Sequence, residues 1–586
     1  MMHTAASAPL SAWLGLASVV LLLGLLVHGR LPATSLFALW AVAYVLVGWV
    51  PQPTFLSGYV NSALVTLVLL LLVSVALERS FLIHRLSQVM ASGSERSAVL
   101  RLSGIAGAIS AFLNNTAVVA GLMGMVSRQA KIAPSRLLIP LSYASVLGGI
   151  TTLVGTSTNL VVDSLVQQAG HPALGMFQFT AVGLPVAVVS LLALWWSSRF
   201  LPRHQDAQSQ AQNHYFLETQ VARASPLVGR SIEENGLREL DGLFLLEVVR
   251  AGRLISPVGP QEVILAGDQL IFTGAVDKVH VLEKFSGLEV FGARANDLLA
   301  SNLIEVVISQ QSDLINKTLR DVNFRDLFDA GVVGIRRGER RLTGQLGRID
   351  LRVGDSLLLA AGKGFRQRNN IARNFHVLTA ESLKPTLRPW ENTLTLGGFL
   401  LAILLSALGA ISLLQAMVLL LGLLLVTGIL TAGDLRRRFP FEIWLIVGSA
   451  LTIAVGLEKT RASALVASGI QSVFGEMGPL GALIGVYLLT LVLTELVTNN
   501  AAAALGIPIA LATASALGVS PTPFIMATAY AASACFLLPY GYQTHLMVYS
   551  AGRYKVLDYL RAGWPVSLAY SATVIALVPM VFPFLE

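Results

Sequence analysis

The sequence is poor in charge and almost lacks cysteine. Only 13% of its 586 residues are charged, while 54% are hydrophobic; a soluble domain carries about 25% charged residues. A chain this apolar has too little polar surface for water, so the soluble globular class is excluded. Its one cysteine, Cys535, excludes an internal disulfide and any cysteine metal cluster. No Lys or Arg precedes Arg30, so the first apolar run has no basic start of a secretory signal and is expected to stay as a helix. No P-loop or G-x-G-x-x-G motif occurs, which argues against nucleotide hydrolysis. A TVGYG filter is missing too, which argues against a potassium pore. Without a nucleophile–base pair or metal cluster, an enzyme is not expected.

What is present are long apolar runs. Leu14–Val27, Leu64–Leu77 and Leu413–Leu430 approach the ~20 residues that cross a bilayer core. The chain is expected in the cell (inner) membrane, crossing it many times in contact with lipid. The net charge of +8 then belongs to Lys and Arg in cytoplasmic loops, not to a nucleic-acid partner. Three blocks follow from composition: an apolar first block, 1–200; a charged one, 201–388; and a second apolar block, 389–586.

The charged block repeats itself. "LETQVARASPLVGRSI" from Leu217 aligns with "IEVVISQQSDLINKTL" from Ile304, and Gly267-Asp268 aligns with Gly354-Asp355. The offset is constant, 305 − 218 = 354 − 267 = 87, which marks a duplication. Alternating stretches such as "GLFLLEVVR" and "AGVVGIRRG" predict short strands, and each copy is expected to be a small α/β unit. The pattern, over 213–285 and 300–372, resembles the TrkA-C (RCK C-terminal) domain of potassium-uptake regulators. That resemblance implies a homodimer and a small regulatory ligand such as a nucleotide; a duplicated structural spacer is the plainer alternative.

In the membrane blocks, four polar interruptions stand inside apolar runs: Asn114–Thr116, Gly155–Asn159, Thr498–Asn500 and Tyr540–His545. Arg79, Arg85, Arg96 and Arg101 precede Ser103–Val126, and Arg128, Lys131 and Arg136 follow it. Basic residues at both ends predict a re-entrant hairpin with its tip at Asn114-Asn115-Thr116. The second block repeats the plan, and with the charged insert in the cytoplasm the two hairpins face opposite sides. Five spanning elements and one hairpin per half are expected, an inverted-repeat α-helical membrane protein of the secondary-transporter plan. None of the four interruptions contains Lys or Arg. Asn and Thr there supply donors and acceptors, and broken helices present N-termini suited to an anion, with co-bound cations balancing its charge. An Asn can also simply join helices by hydrogen bonds, but two such pairs at corresponding places favour a site. Glu495, within an apolar run, is either functional or a structural anchor.

"FLNNTAVVAGLM" (112–123), "GGITTLVGTSTNL" (148–160), "TELVTNNAAAALGIPIA" (494–510) and "LPYGYQTHLMVY" (538–549) resemble the divalent anion–sodium symporter family over nearly all of both membrane blocks. The resemblance implies that Asn114, Asn115 and Thr116 form one substrate-binding tip and Thr498, Asn499 and Asn500 the other. It implies sodium ligands at Asn115, Gly155, Asn499 and Gly541. Asn114 and Asn500 depart from the family's Ser and Thr. Thr156, Ser157, Tyr542, Gln543, Thr544 and His545 stand among the residues that replace the Pro-Pro-Asn of dicarboxylate carriers, so sulfate is expected before succinate or citrate. His545 is expected to face the substrate. A proton-coupled antiporter using Glu495 or His545, a dicarboxylate carrier and a potassium-uptake protein remain as alternatives.

Overall fold

The computed structural model describes residues 9–28, 31–80, 95–128, 132–203 and 387–585, and 216–291 and 303–377 with short breaks at 239, 241–242, 251–252, 256–257, 275–281, 283, 310–311, 338–339, 343–347, 363–364, 366–367 and 369. Of the basic residues used above, Arg30, Arg85 and Lys131 lie outside the described residues.

The first block forms α1 (Leu10–His28), α2 (Ala33–Leu46), α3 (Gln52–Gly58), α4 (Ser62–Glu78), α5 (Glu95–Ser110), α6 (Asn115–Arg128), α7 (Leu138–Gly149), α8 (Ser157–Gln168) and α9 (Thr180–Ser197). The last block forms α10 (Pro389–Ala407), α11 (Leu413–Val426), α12 (Ala432–Arg438), α13 (Phe441–Lys459), α14 (Ala462–Phe474), α15 (Gly478–Leu496), α16 (Asn499–Leu517), α17 (Thr522–Ala532), α18 (Gln543–Ala551) and α19 (Val556–Val581). Among the described residues, seven helical stretches are long and apolar enough to cross a membrane. Their starts follow local chemistry. Asn61 accepts the Ala63 N–H ahead of α4, and Ser412 and Gln415 close a capping box ahead of α11.

Packing between the blocks is reciprocal. Helix α4 packs on α11 as α13 packs on α2; α6 meets α18 as α16 meets α8; and α9 lies along α19. Pairs exchanged in this way are what a two-fold relation between the halves produces. Small residues allow the closest approaches. A Cβ at Gly563 would collide with the Phe536 carbonyl, and one at Gly448 with the ring of Tyr59.

One ion pair ties the halves outside the spans. Arg79, at the end of α4, donates to Asp434 at 2.9 Å, and Arg437 approaches the same oxygen at 3.1 Å. Burial alone would push the Asp434 carboxyl up, but bonds from Thr431, Arg437 and Arg79 outweigh it and hold the group well below the usual carboxylate range. A depressed folded pKa contributes stability above the unfolded value near ~3.9 and loses it as pH falls below that. Asp434→Asn should therefore melt below wild type at pH 7, with the gap closing as pH drops beneath about 4. Melting curves of the two detergent-solubilised proteins across that range check this, and a gap independent of pH counts against it.

The insert forms two antiparallel five-stranded sheets. Its strands are β1 (Phe216–Val221), β2 (Leu243–Arg250), β3 (Arg253–Ile255), β4 (Gln269–Gly274), β5 (Leu288–Phe291), β6 (Leu303–Ile308), β7 (Ala330–Arg337), β8 (Arg340–Leu342), β9 (Ser356–Ala361) and β10 (Phe375–Val377). The strand orders, β3-β2-β4-β1-β5 and β8-β7-β9-β6-β10, are the same. Register repeats as well: Glu218 opposes Ile271 and Glu305 opposes Leu358, both displaced by 87. Gly267 and Gly354 take φ of 86° and 81°, a left-handed turn into β4 and β9 that glycine adopts without strain. Among the described residues the helices of the insert, Phe324–Phe328 and Ile371–Asn374, are one turn each.

Candidate functional site

Each polar interruption falls where a helix begins. Asn115, Ser157, Asn499 and Gln543 are the first residues of α6, α8, α16 and α18. The helices before α8 and α18 stop at Gly149 and Ala532, and Thr156 and Tyr542 re-enter in extended conformation. Four helix N-termini, whose first-turn N–H groups lack carbonyl partners within the helix, thus carry the sequence-marked residues.

These starts meet across the two halves. Ser157 and Thr158 hydroxyls donate to Asn500 Oδ1 at 3.3 and 3.4 Å, and Asn499 Nδ2 donates to Thr158 Oγ1 at 2.6 Å. Thr116 Oγ1 donates to Gln543 Oε1 at 3.3 Å. The Tyr542 hydroxyl lies close to Ser533, Thr156, Asn499 and Thr158 and links the two contacts, yet it closes no good hydrogen bond. Ser533 Oγ and Thr544 Oγ1 are likewise buried and unpartnered. Each such buried hydroxyl costs free energy unless something else accepts or donates there.

The first tip collects oxygens. The Asn115 carboxamide, buried, meets Ser110 Oγ at 2.7 Å, the Ser145 carbonyl at 3.0 Å and the Gly155 carbonyl at 3.2 Å. With nitrogen turned inward it donates to them. Turned the other way, it adds a fourth oxygen, a set that a cation would hold together. Asn499 differs, reaching Thr158 of the other half. Asn114 and Thr498 act as caps: Asn114 Oδ1 accepts the Thr116 N–H at 2.9 Å, and Thr498 Oγ1 accepts that of Ala501 at 3.4 Å. Asn and Ser cap equally well, which gives a physical reason for the departure at Asn114.

Both glycines of the breaks are sterically required. A Cβ on Gly155 would lie 2.6 Å from the Gly149 carbonyl and 2.9 Å from that of Ala111, and one on Gly541 would strike the Thr494 carbonyl and Cys535 Sγ. Backbone cannot step aside as a side-chain tip can. Gly155→Ala and Gly541→Ala are expected to cost at least ~1–3 kcal/mol by overpacking and to cut transport more than tenfold. Uptake normalised to folded protein measures this, and near-normal uptake in either variant would contradict the close approach.

His545 is a correction. The side chain is fully buried, with Nδ1 2.7 Å from Ser142 Oγ and Nε2 2.7 Å from the Cys535 carbonyl. Both ring nitrogens are spent on the protein, so it does not face a ligand. Glu495 is likewise engaged: its carboxylate accepts the N–H groups of Phe536, Leu537 and Leu538, each at 2.9 Å, with Cys535 Sγ at 3.4 Å. It anchors the second break. Sequence reasoning missed Ser110, Ser533 and the Ser145 carbonyl, because serine in a membrane helix carries no signal of its own.

A helical membrane protein with paired broken helices, whose polar starts meet between the halves, belongs to the transporter class. Residues 19–531 match the CitMHS family, described as citrate transporter, and the chain belongs to that family. A Chlamydomonas reinhardtii protein, named as a candidate sulfur deprivation response regulator, is 31% identical over 90% of this chain and 94% of its own length. Sodium/sulfate cotransporter 1 of the same alga is 32% identical over 61% of this chain and 42% of its own length. The Alcanivorax borkumensis YdaH transporter covers 98% of both chains at 12% identity, with a TM-score of 0.43, too distant to inform the fold. The chain is a membrane transporter and not an enzyme.

Proposed function

We propose that this transporter couples sodium to the movement of a small dianion, sulfate first, by alternating access between inverted membrane halves. The observation that carries the reading is the meeting of four helix N-termini in a group of neutral donors. Thr156, Ser157, Thr158, Asn499, Asn500, Tyr542, Gln543 and Thr544 hold the anion, with Asn115 and Thr116 beside them. A dianion among neutral groups in a low-dielectric interior needs compensating positive charge. Sodium at Asn115, with the oxygens of Ser110, Ser145 and Gly155, supplies it, and a second ion belongs near Asn499 and Gly541.

Sulfate is favoured over citrate or succinate by the relatives named sodium/sulfate cotransporters and by the Thr-Ser-Thr and Tyr-Gln-Thr runs at the breaks. Proton coupling is disfavoured because Glu495 and His545 are both committed to internal hydrogen bonds. The insert, two TrkA-C-like modules at 213–285 and 300–372, lies on the cytoplasmic side of the cell membrane in this reading. There it would form a homodimer and take a small regulatory ligand. Uptake of labelled sulfate into proteoliposomes, with and without a sodium gradient and with succinate, citrate and phosphate as competitors, tests the reading. Sodium-independent uptake defeats the coupling, and stronger competition by citrate than by unlabelled sulfate defeats the substrate.

A further inference from the structure

Helices α8 and α18 each begin in the site, and the far end of each must be held for that first turn to keep its place. In α8 the hold is local. Asp163, eight residues after Gly155, accepts the Leu174 N–H and the Gln167 amide, both at 2.8 Å. Eight residues after Gly541 stands Tyr549, which has no carboxylate to offer.

The far end of α18, where the Arg553 N–H donates to the Ser550 carbonyl at 3.2 Å, is held from the insert as well. Arg336 on β7 donates from Nη2 to the Ser550 carbonyl at 3.0 Å and to Glu305 Oε1 at 2.8 Å. Ser356 Oγ donates to that same Glu305 oxygen at 2.7 Å. Val307 on β6 is buried in the apolar cluster of the membrane helices and not in the core of its own module. The turn glycine Gly354 lies against α18, where a Cβ would stand 3.3 Å from the Leu546 carbonyl.

The first module carries different residues at the positions that make this contact. Subtracting 87, Val249 stands at the place of Arg336, Gln220 at that of Val307 and Gln269 at that of Ser356. The internal ion pair survives in both, Arg250–Asp268 at 2.8 Å and Arg337–Asp355 at 2.7 Å. The duplication kept what folds a module and diverged at what touches the membrane helices. A guanidinium at a helix C-terminus is favourable, since the last carbonyls carry partial negative charge. Helix α18 has 9 residues, about 14 Å, short enough to move as one rod.

We propose that Arg336 is a positioning residue for transport: through the Ser550 carbonyl the second module holds α18, and with it Tyr542, Gln543 and Thr544, in the anion-binding arrangement. The second module is thereby the lever by which the insert acts on the membrane unit; among the described residues the first module shows no such hold on α18. The placement of the anion rests on the proposed function; the hold on α18 does not.

The test has two arms on the full-length protein. In the first, amide hydrogen exchange of residues 543–551 is measured by mass spectrometry in detergent for wild type, Arg336→Ala, Arg336→Lys and Glu305→Gln. Exchange should be at least threefold faster in Arg336→Ala, intermediate in the other two, and unchanged over 157–168 in all. In the second, sulfate and sodium dependence of uptake is measured in proteoliposomes. Arg336→Ala should raise the apparent KM for sulfate about three- to tenfold with sodium dependence unchanged, and Arg336→Lys should recover most of it. Unaltered exchange over 543–551 overturns the hold. Faster exchange with equal losses of sulfate and sodium affinity overturns the positioning role and leaves a structural contact. If Arg336→Ala yields no folded protein, Arg336→Lys and Glu305→Gln decide on the same criteria. A wild-type protein that takes up no sulfate defeats the proposed substrate, and the exchange arm still decides the hold.

Discussion

Asn115→Ala is expected to weaken apparent sodium affinity ten- to a hundredfold and to remove most anion uptake at physiological sodium. Its carboxamide meets Ser110 Oγ and the carbonyls of Ser145 and Gly155 together. Alanine deletes that ligand and leaves the carbonyls facing each other. A lost hydrogen bond or ligand to a charged group is worth ~1.5–3 kcal/mol, which is the stated range in affinity. The aspartates separate the two tips. Asn115→Asp keeps an oxygen toward the cation and adds charge, so sodium binding should persist. Asn499→Asp loses the Nδ2 donor that Thr158 accepts at 2.6 Å and sets a negative charge among the anion's donors, so anion uptake should fail at any sodium concentration. Sodium-dependent sulfate uptake by the three single variants, corrected for the amount in the membrane, measures this. Wild-type kinetics in a well-expressed Asn115→Ala protein would falsify the ion assignment.

Glu495→Ala should prevent stable folding, and Glu495→Gln should fold with a lowered melting temperature. The carboxylate satisfies three consecutive backbone N–H groups at 536–538, in a stretch where the helix has stopped and no carbonyl ladder can take them. Each buried N–H left alone costs ~1–3 kcal/mol, so losing all three approaches the whole stability of a domain. Glutamine keeps one acceptor. Its oxygen can still serve Phe536 and Leu537, but its NH₂ then confronts the Leu538 N–H. Melting curves and size-exclusion profiles in detergent read the effect. The pH profile of uptake by Glu495→Gln should match wild type, because the group serves structure. A well-folded Gln variant with an altered profile would restore Glu495 as a proton carrier.

The breaks were legible because polar runs such as Thr156-Ser157-Thr158 interrupt otherwise apolar helices, and a membrane tolerates that only where the backbone is covered. The duplication was legible because an 87-residue period is a property of the string itself, and it reappears as identical strand register. Distance in sequence hid the rest. Glu495 finds its partners some forty residues on, so its sequence context could not separate anchor from functional acid. His545 follows a broken segment whether it faces a ligand or, as here, Ser142 and the Cys535 carbonyl. Arg79–Asp434 joins residues 355 positions apart, and no local pattern announces such a pair.

Cys535 packs against Glu495 and the Leu538 carbonyl with no solvent exposure, and it is the chain's one thiol. In this conformation the unmodified protein offers maleimides and mild oxidants nothing to attack. A single cysteine placed at an exposed position becomes the one addressable thiol of the chain. Spectroscopic labels can therefore be installed without first stripping the native residue, whose removal would disturb the anchor beneath the second break.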